Sequence, residues 1–303
     1  MRSNCLVACV ALTLLVVAPI GAQETMFASN GGAGASPTNT GAILTVDPTN
    51  ANVTVVGVPT DPTDPEGLPG IDFNASGQLF AVTGEGGALG APHLLEVDPA
   101  DGSLINNVGL LLESGGEVGL SDLSYQPGTG TLFGFVAYGG VTVEEGWLVT
   151  VDTTTGVVTA VGYTGLVDWG AIAFATDGTL YHVNFESSLP AELHTLDPAT
   201  GAVLTTVSLS NHYMSLAVRP SDGTLFATQR NVAGAPVIGD LYTIDPATGV
   251  ETFIGATGNP IHDLAFQEPF TPPVDSAIPT IGLAGMVALV LFLAVVGILR
   301  LRN

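Results

Sequence analysis

Asp122, Asp168, His212, His262 and Asp263 are carboxylates and imidazoles at the entry to short apolar runs of one repeated kind. Asp122 and Asp263 occupy the same place in two copies of one sequence pattern, and His262 sits beside the second. Two carboxylates and an imidazole brought together could bind a divalent cation such as calcium, and an open coordination position would support metal-assisted hydrolysis or elimination. The same groups also serve to satisfy exposed strand ends and bound water. Asp61, Asp64 and Glu66 form a second acidic cluster, but Pro62 and Pro65 interrupt any regular calcium loop, and the segment reads as a turn-rich loop. His93, His182 and His194 fall in predicted strands, as packed or edge histidines.

Much chemistry is excluded. There is no Lys for a Schiff base or a phosphate loop, and no His-Glu-x-x-His, Cys-x-x-Cys or Gly-x-Ser-x-Gly. The two cysteines, Cys5 and Cys9, lie in the N-terminal segment, so neither a thiol nucleophile nor a disulfide framework is expected in the mature protein. No catalytic or cofactor-binding residue is therefore assigned, and no cofactor is expected beyond a divalent cation. With 28 acidic against 5 basic residues and a net charge of −23, the chain repels nucleic acid and anionic lipid. Such a carboxylate surface stays hydrated at high ionic strength.

The two ends read as addresses. Residues 1–22 form a signal peptide, with Arg2, an apolar run from Leu6 to Val17 and small residues at Gly21-Ala22. Ile281 to Leu299 is 19 residues without a polar side chain, long enough as a helix to cross roughly 28 Å of hydrocarbon. Arg300 and Arg302 follow and would stay cytoplasmic, leaving the preceding domain outside. The tail 278–303, with Ile278-Pro279-Thr280, Gly285-Met286, the apolar run and the terminal arginines, resembles the IPTL-type sorting signals of bacterial surface proteins. The resemblance implies recognition by a sorting protease of the exosortase class, removal of the tail near Pro279, and release to the cell surface or extracellular matrix. Ile281 and Ala284 stand where the family has Leu and Trp, and a plain single-pass anchor remains the alternative. Residues 267–277, with Pro269, Pro272 and Pro273, form a stiff stalk.

The elements that position the candidate groups repeat. Ile43-Leu44-Thr45-Val46-Asp47 recurs at Leu94 to Asp98, Leu148 to Asp152, Leu193 to Asp197 and Leu241 to Asp245, with aspartate spacings of 51, 54, 45 and 48. Such a period signals propeller blades. A second motif precedes it, as in Ile71-Asp72-Phe73, Leu123-Ser124-Tyr125, Ile172-Ala173-Phe174, Leu216-Ala217-Val218 and Leu264-Ala265-Phe266. A third strand follows each copy except the last, and the missing strand appears at the other end of the domain as Thr25-Met26-Phe27-Ala28. We therefore expect an all-β, five-bladed β-propeller over 23–266, four strands per blade, closed by pairing of its N- and C-terminal strands, plus one C-terminal transmembrane helix. Phe73, Phe80, Phe133, Phe174, Phe226 and Phe266 should fill the wedges between blades. The Asp-Pro turns should be structural caps, with Asp accepting amides and Gly taking positive φ.

Thr25 to Phe266 resembles bacterial surface propellers that repeat a Leu-Tyr-x-Ile-Asp-Pro-x-Thr-Gly unit, a likeness that implies architecture and not activity. Connections on one face are tight turns and those on the other are long loops, where a site is expected. Asp122, His262 and Asp263 should ring the channel mouth on that face. Two functions fit: an exported, envelope-anchored, non-catalytic binding or scaffold module for an extracellular polymer, glycan or protein, or an extracellular metal-assisted hydrolase or lyase.

Overall fold

The computed structural model describes residues 24–31, 41–60, 66–84, 89–138, 143–167, 169–184, 190–229 and 239–268. The expected leader, the transmembrane and sorting segment, most of the stalk, and Asp61, Asp64 and Asp168 lie outside the described residues. Among the described residues every regular element is a strand, and no helix is long and apolar enough to cross a membrane.

The strands form five sheets arranged as blades. In blade 1, β1 (Thr25–Ser29), β2 (Ile43–Val46) and β3 (Val53–Gly57) follow from inside outwards. Blade 2 holds β4 (Gly70–Phe73), β5 (Leu79–Val82), β6 (His93–Val97) and β7 (Leu104–Gly109). Blade 3 adds β8 (Leu111–Leu112) to β9 (Gly119–Tyr125), β10 (Leu132–Tyr138), β11 (Trp147–Val151) and β12 (Val157–Tyr163). Blade 4 holds β13 (Gly170–Phe174), β14 (Leu180–Asn184), β15 (Glu192–Leu196) and β16 (Val203–Ser208). Blade 5 holds β17 (Tyr213–Val218), β18 (Leu225–Gln229), β19 (Asp240–Ile244) and β20 (Glu251–Ala256).

The innermost strand of blade 1 is β21 (Asp263–Gln267), from the far end of the domain. It pairs antiparallel with β1, Met26 opposite Phe266 and Ala28 opposite Leu264. The ring is thus latched by main-chain hydrogen bonds, and β21, β4, β9, β13 and β17 touch in succession around the axis. Four strands per blade holds for four blades only. In blade 3 the linker leaving β7 lays Leu111-Leu112 parallel to Val157-Val158, covering the outer edge of β12. This linker lies within the longest of the aspartate spacings, 54 residues, and a two-residue strand carries no periodicity to announce it.

The buried core consists of five wedges, each shared by two neighbouring blades. Ring pairs bridge four of them: Phe27 with Phe73 at 5.0 Å, Phe80 with Tyr125 at 5.8 Å, Phe133 with Phe174 at 5.2 Å and Phe226 with Phe266 at 5.5 Å. In the wedge of blades 4 and 5, Val218 takes the place of the second ring, packed in one cluster with Tyr181. Sheets that fan from an axis leave gaps that widen outward, and flat rings fill them at contact distance.

The Asp turns behave as caps. Asp47, Asp98, Asp152, Asp197 and Asp245 each accept the amide two residues on through Oδ1, at 2.8 to 2.9 Å. Amide bonds hold the carboxyls of Asp152, Asp197 and Asp245 below the usual range. The turn closes on a left-handed residue, which is Gly at 102, 156, 201 and 249 but Ala51 (φ 62°) in blade 1.

Candidate functional site

The innermost strands run from the long-loop end of the channel to the tight-turn end, and each exposes amides that no further strand can pair. Carboxylates from the preceding blade meet three of them. Asp263 Oδ2 accepts the Ile71 amide at 2.6 Å, Asp72 Oδ2 that of Tyr125 at 2.7 Å, and Asp122 Oδ2 that of Ile172 at 2.7 Å. Ser124 Oγ accepts the Phe174 amide at 3.0 Å in the same way. Successive blades 1 to 2, 2 to 3 and 3 to 4 are thereby tied at the axis by side chains reaching across to main chain.

Asp122 and Asp263 are each 1% exposed and lie close enough to influence one another's ionisation. Blade 2 has Gly70 at the position that Asp122 and Asp263 hold in their own strands. A Cβ there would lie 2.6 Å from Asp122 Cα, so only glycine lets β4 approach β9 this closely. Burial, reinforced at Asp263 by the neighbouring Asp122 charge, lifts both carboxyls well above their ordinary range. Asp72 is pushed up to about 7 by burial, against the lowering effect of the Tyr125 and Phe73 amides.

Sequence reasoning singled out Asp122 and Asp263, and the structure brings them together. Both oxygens of Asp122 and Oδ2 of Asp263 accept backbone amides. His262 lies beside Asp263 in sequence but packs its ring on Gly31, where a Cβ would overlap Nδ1, while its amide donates to Ser29 O at 2.9 Å. Among the described residues no three His, Cys, Asp or Glu side chains converge as a metal site requires. Glu66, fully buried, accepts the Leu89 amide at 2.6 Å and so anchors a loop. Asp72 was missed as a site residue. Its signal is an acid at a repeat position that elsewhere holds Ser124, Ala173, Ala217 and Ala265.

His182 and His194 lie inside blade 4, their rings 5.6 Å apart, with Phe135 at 4.5 Å from His182. Burial pulls His182 down to about 3, so it is a neutral packing residue at physiological pH. His194 Nδ1 lies 3.1 Å from Thr206 Oγ1. A cavity of about 350 Å³ opens at the tight-turn end of the channel, lined by Asp72, Phe73, Ser124, Tyr125, Phe174 and Phe266. That is the face opposite the long loops, several of which (32–40, 61–65, 85–88, 139–142, 185–189 and 230–238) lie outside the described residues.

The fold and its axis therefore define a five-bladed β-propeller whose channel wall is tied by buried acids. The chain belongs to the family described as "Repeat of unknown function (DUF6923)", whose model matches residues 112–267, from blade 3 through the closing strand. No curated protein matches it in sequence. Among solved structures it is similar to a protein of unknown function from Bacteroides thetaiotaomicron, at 11% identity over 82% of this chain and 72% of that one, TM-score 0.49. It is also similar to a gluconolactonase from Xanthomonas campestris, at 14% identity over 80% and 86% of the two chains, TM-score 0.47. Against Kuenenia stuttgartiensis hydrazine synthase the identity is 17% and the TM-score 0.41, over 64% of this chain. The chain spans about half, 49%, of that protein's length.

Proposed function

We propose that this protein is an exported, envelope-anchored, non-catalytic propeller module that binds or scaffolds an extracellular polymer, glycan or protein. One observation carries the reading: the channel carboxylates, the groups best suited to chemistry, accept main-chain amides of the next blade. Carboxylate oxygens so engaged hold neighbouring blades together. In this reading residues 1–22 direct export, 281–299 anchor the chain with Arg300 and Arg302 inside, and Ile278-Pro279-Thr280 mark the tail for a sorting protease. The net charge of −23 keeps nucleic acid and anionic lipid away.

The test is retention of the full-length protein on isolated envelope and matrix polymers, with and without chelator. Retention that survives chelation, with no release of cleaved product, supports the module. Product release or loss of retention on chelation refutes it. The alternative, a metal-assisted hydrolase or lyase at the channel mouth, draws on the proximity of Asp122 and Asp263, whose paired charges a divalent cation could offset. Elemental analysis showing one bound cation per chain, lost in Asp122→Asn, would favour it.

A further inference from the structure

We propose that the channel cavity at the tight-turn end is a binding site for a free apolar α-amino acid, whose ammonium meets Asp72 and whose carboxylate meets the main-chain amides of Val218 and Phe266. The inference goes beyond the reading of the protein as a module for a polymer, glycan or protein, and does not depend on it. The cavity, of about 350 Å³, falls at the lower end of the roughly 300–1,000 Å³ typical of small-molecule sites, and all five innermost strands line it. Alternate residues of each inner strand turn their amides to the channel, and one level of the cavity carries those of Phe73, Tyr125, Phe174, Val218 and Phe266. The first three are taken: Asp72 Oδ1 accepts the Phe73 amide at 2.8 Å, Asp72 Oδ2 that of Tyr125 at 2.7 Å, and Ser124 Oγ that of Phe174 at 3.0 Å. Ala173 and Ala217 hold in blades 4 and 5 the place of Ser124 in blade 3, and a methyl group accepts nothing. Arg219 donates its amide outward to Thr224 O, so Val218, one residue earlier, turns its own inward, and Phe266 holds the matching place in β21. Among the described residues neither amide has a protein acceptor.

In a ring of five, blade 5 with Val218 stands opposite the junction of blades 2 and 3, where Asp72 lies, and Phe266 is beside it in blade 1. The cavity therefore presents a carboxylate on one side and open N–H donors on the other. Asp72 keeps part of its surface open to the cavity. Burial pushes it up to about 7 in spite of its two amides, so the protein itself compensates its charge poorly. Among the described residues the only Lys or Arg is Arg219, and it is committed to Asp222. An ammonium brought by a ligand supplies the compensating charge, and the two open amides are best met by a carboxylate. A net charge of −23 disfavours an anion, whereas a zwitterion carries both groups at no net charge. Leu123, Ile172, Leu216, Leu264 and the Phe174 ring make up much of the remaining wall, which fits an apolar side chain.

The full-length protein in detergent is titrated by calorimetry with L-leucine and L-phenylalanine. Isopentylamine, which lacks the carboxylate, and 4-methylpentanoate, which lacks the ammonium, are the comparators. Saturable binding of at least one amino acid is expected, with isopentylamine about tenfold weaker or more and no binding of 4-methylpentanoate. Asp72→Asn should abolish binding, but it also disturbs the Tyr125 clamp, so the deciding variant is Ala173→Ser combined with Ala217→Ser. By the precedent of Ser124, the two new hydroxyls would accept the Val218 and Phe266 amides and leave Asp72 in place. In that variant, with its melting temperature not lowered, the amino acid should lose its advantage over isopentylamine. The proposal is overturned if neither amino acid saturates, if either comparator binds wild type as tightly as L-leucine, or if the double variant keeps the wild-type affinity for the amino acid. Retention on envelope polymers is measured separately, and its loss removes the module reading alone.

Discussion

Replacing Asp263 by Asn tests whether the buried acid pair holds a proton in the folded state. Asp263 spends one oxygen on the Ile71 amide, while Asp122 accepts the amides of Leu123 and Ile172 through its two oxygens at 2.6 and 2.7 Å. Asp263 Oδ1 is buried and has no hydrogen-bond partner. The side chain introduced by Asp263→Asn would keep that pattern, its carbonyl facing Ile71 and its NH2 taking the place of Oδ1, where no backbone amide opposes it. Asp122→Asn would instead set a side-chain N–H against a backbone N–H. The native pair holds a proton that the unfolded chain releases above about pH 4. A raised acid contributes stability at low pH that is lost as pH climbs toward its folded value, at about 1.4 kcal/mol per unit for one proton. Above about pH 4 the wild type should therefore lose stability as pH rises, at up to about 1.4 kcal/mol per unit, or roughly 3–6 °C in Tm per unit. Urea unfolding of the purified protein across this range should show a falling curve for wild type and a distinctly flatter one for Asp263→Asn. Asp72 titrates in both proteins and drops out of the comparison. Asp122→Asn should lose about 1–3 kcal/mol at every pH for its mispaired amide. Parallel curves for wild type and Asp263→Asn, or equal tolerance of the two Asn variants, would refute this account of the pair.

His182 titrates in the opposite sense: its folded value of about 3 lies below 6.5, so its share of stability is full above about pH 6.5 and is lost as pH falls. Neither ring nitrogen has a protein hydrogen-bond partner, and His182→Leu should raise stability by about 1–3 kcal/mol at neutral pH and by more at about pH 5, measured by denaturant melts. Gly156→Ala should be severe, above about 2 kcal/mol, because its φ is +73° and the new Cβ would overlap Gly109 O. Gly128→Ala, at φ +81° with nothing within 4 Å, should lose only about 1 kcal/mol in the same thermal scan. Ala28→Pro removes an amide from β1, the strand held between β21 and β2, and should open the ring, seen as early proteolysis of the terminal strands and a loss of about 3 kcal/mol or more.

Blade number, blade order and the latch were legible in the chain because strand pairing is periodic. The Asp-turn copies and the offset of Thr25-Met26-Phe27-Ala28 against Leu264-Ala265-Phe266 suffice to close a ring, and the registers observed follow from them. The wedge rings were legible for the same reason, since each repeats at one place in its unit. The fifth strand of blade 3 was not, because two residues show no alternation.

The candidate site divides along the same line. Sequence alone marked Asp122 and Asp263 as equivalent and acidic, and their pattern suits metal ligands as well as clamps. Which role their oxygens take depends on how closely neighbouring blades approach, and that distance is set by Gly70, a residue with no side chain to read. Asp263 meets the Ile71 amide across 192 positions of chain, and Asp72 meets Tyr125 across 53. Periodicity specifies neighbours within a sheet, whereas the partner of a buried carboxylate is whatever amide the closed ring brings within about 3 Å of it, and only the ring itself decides that.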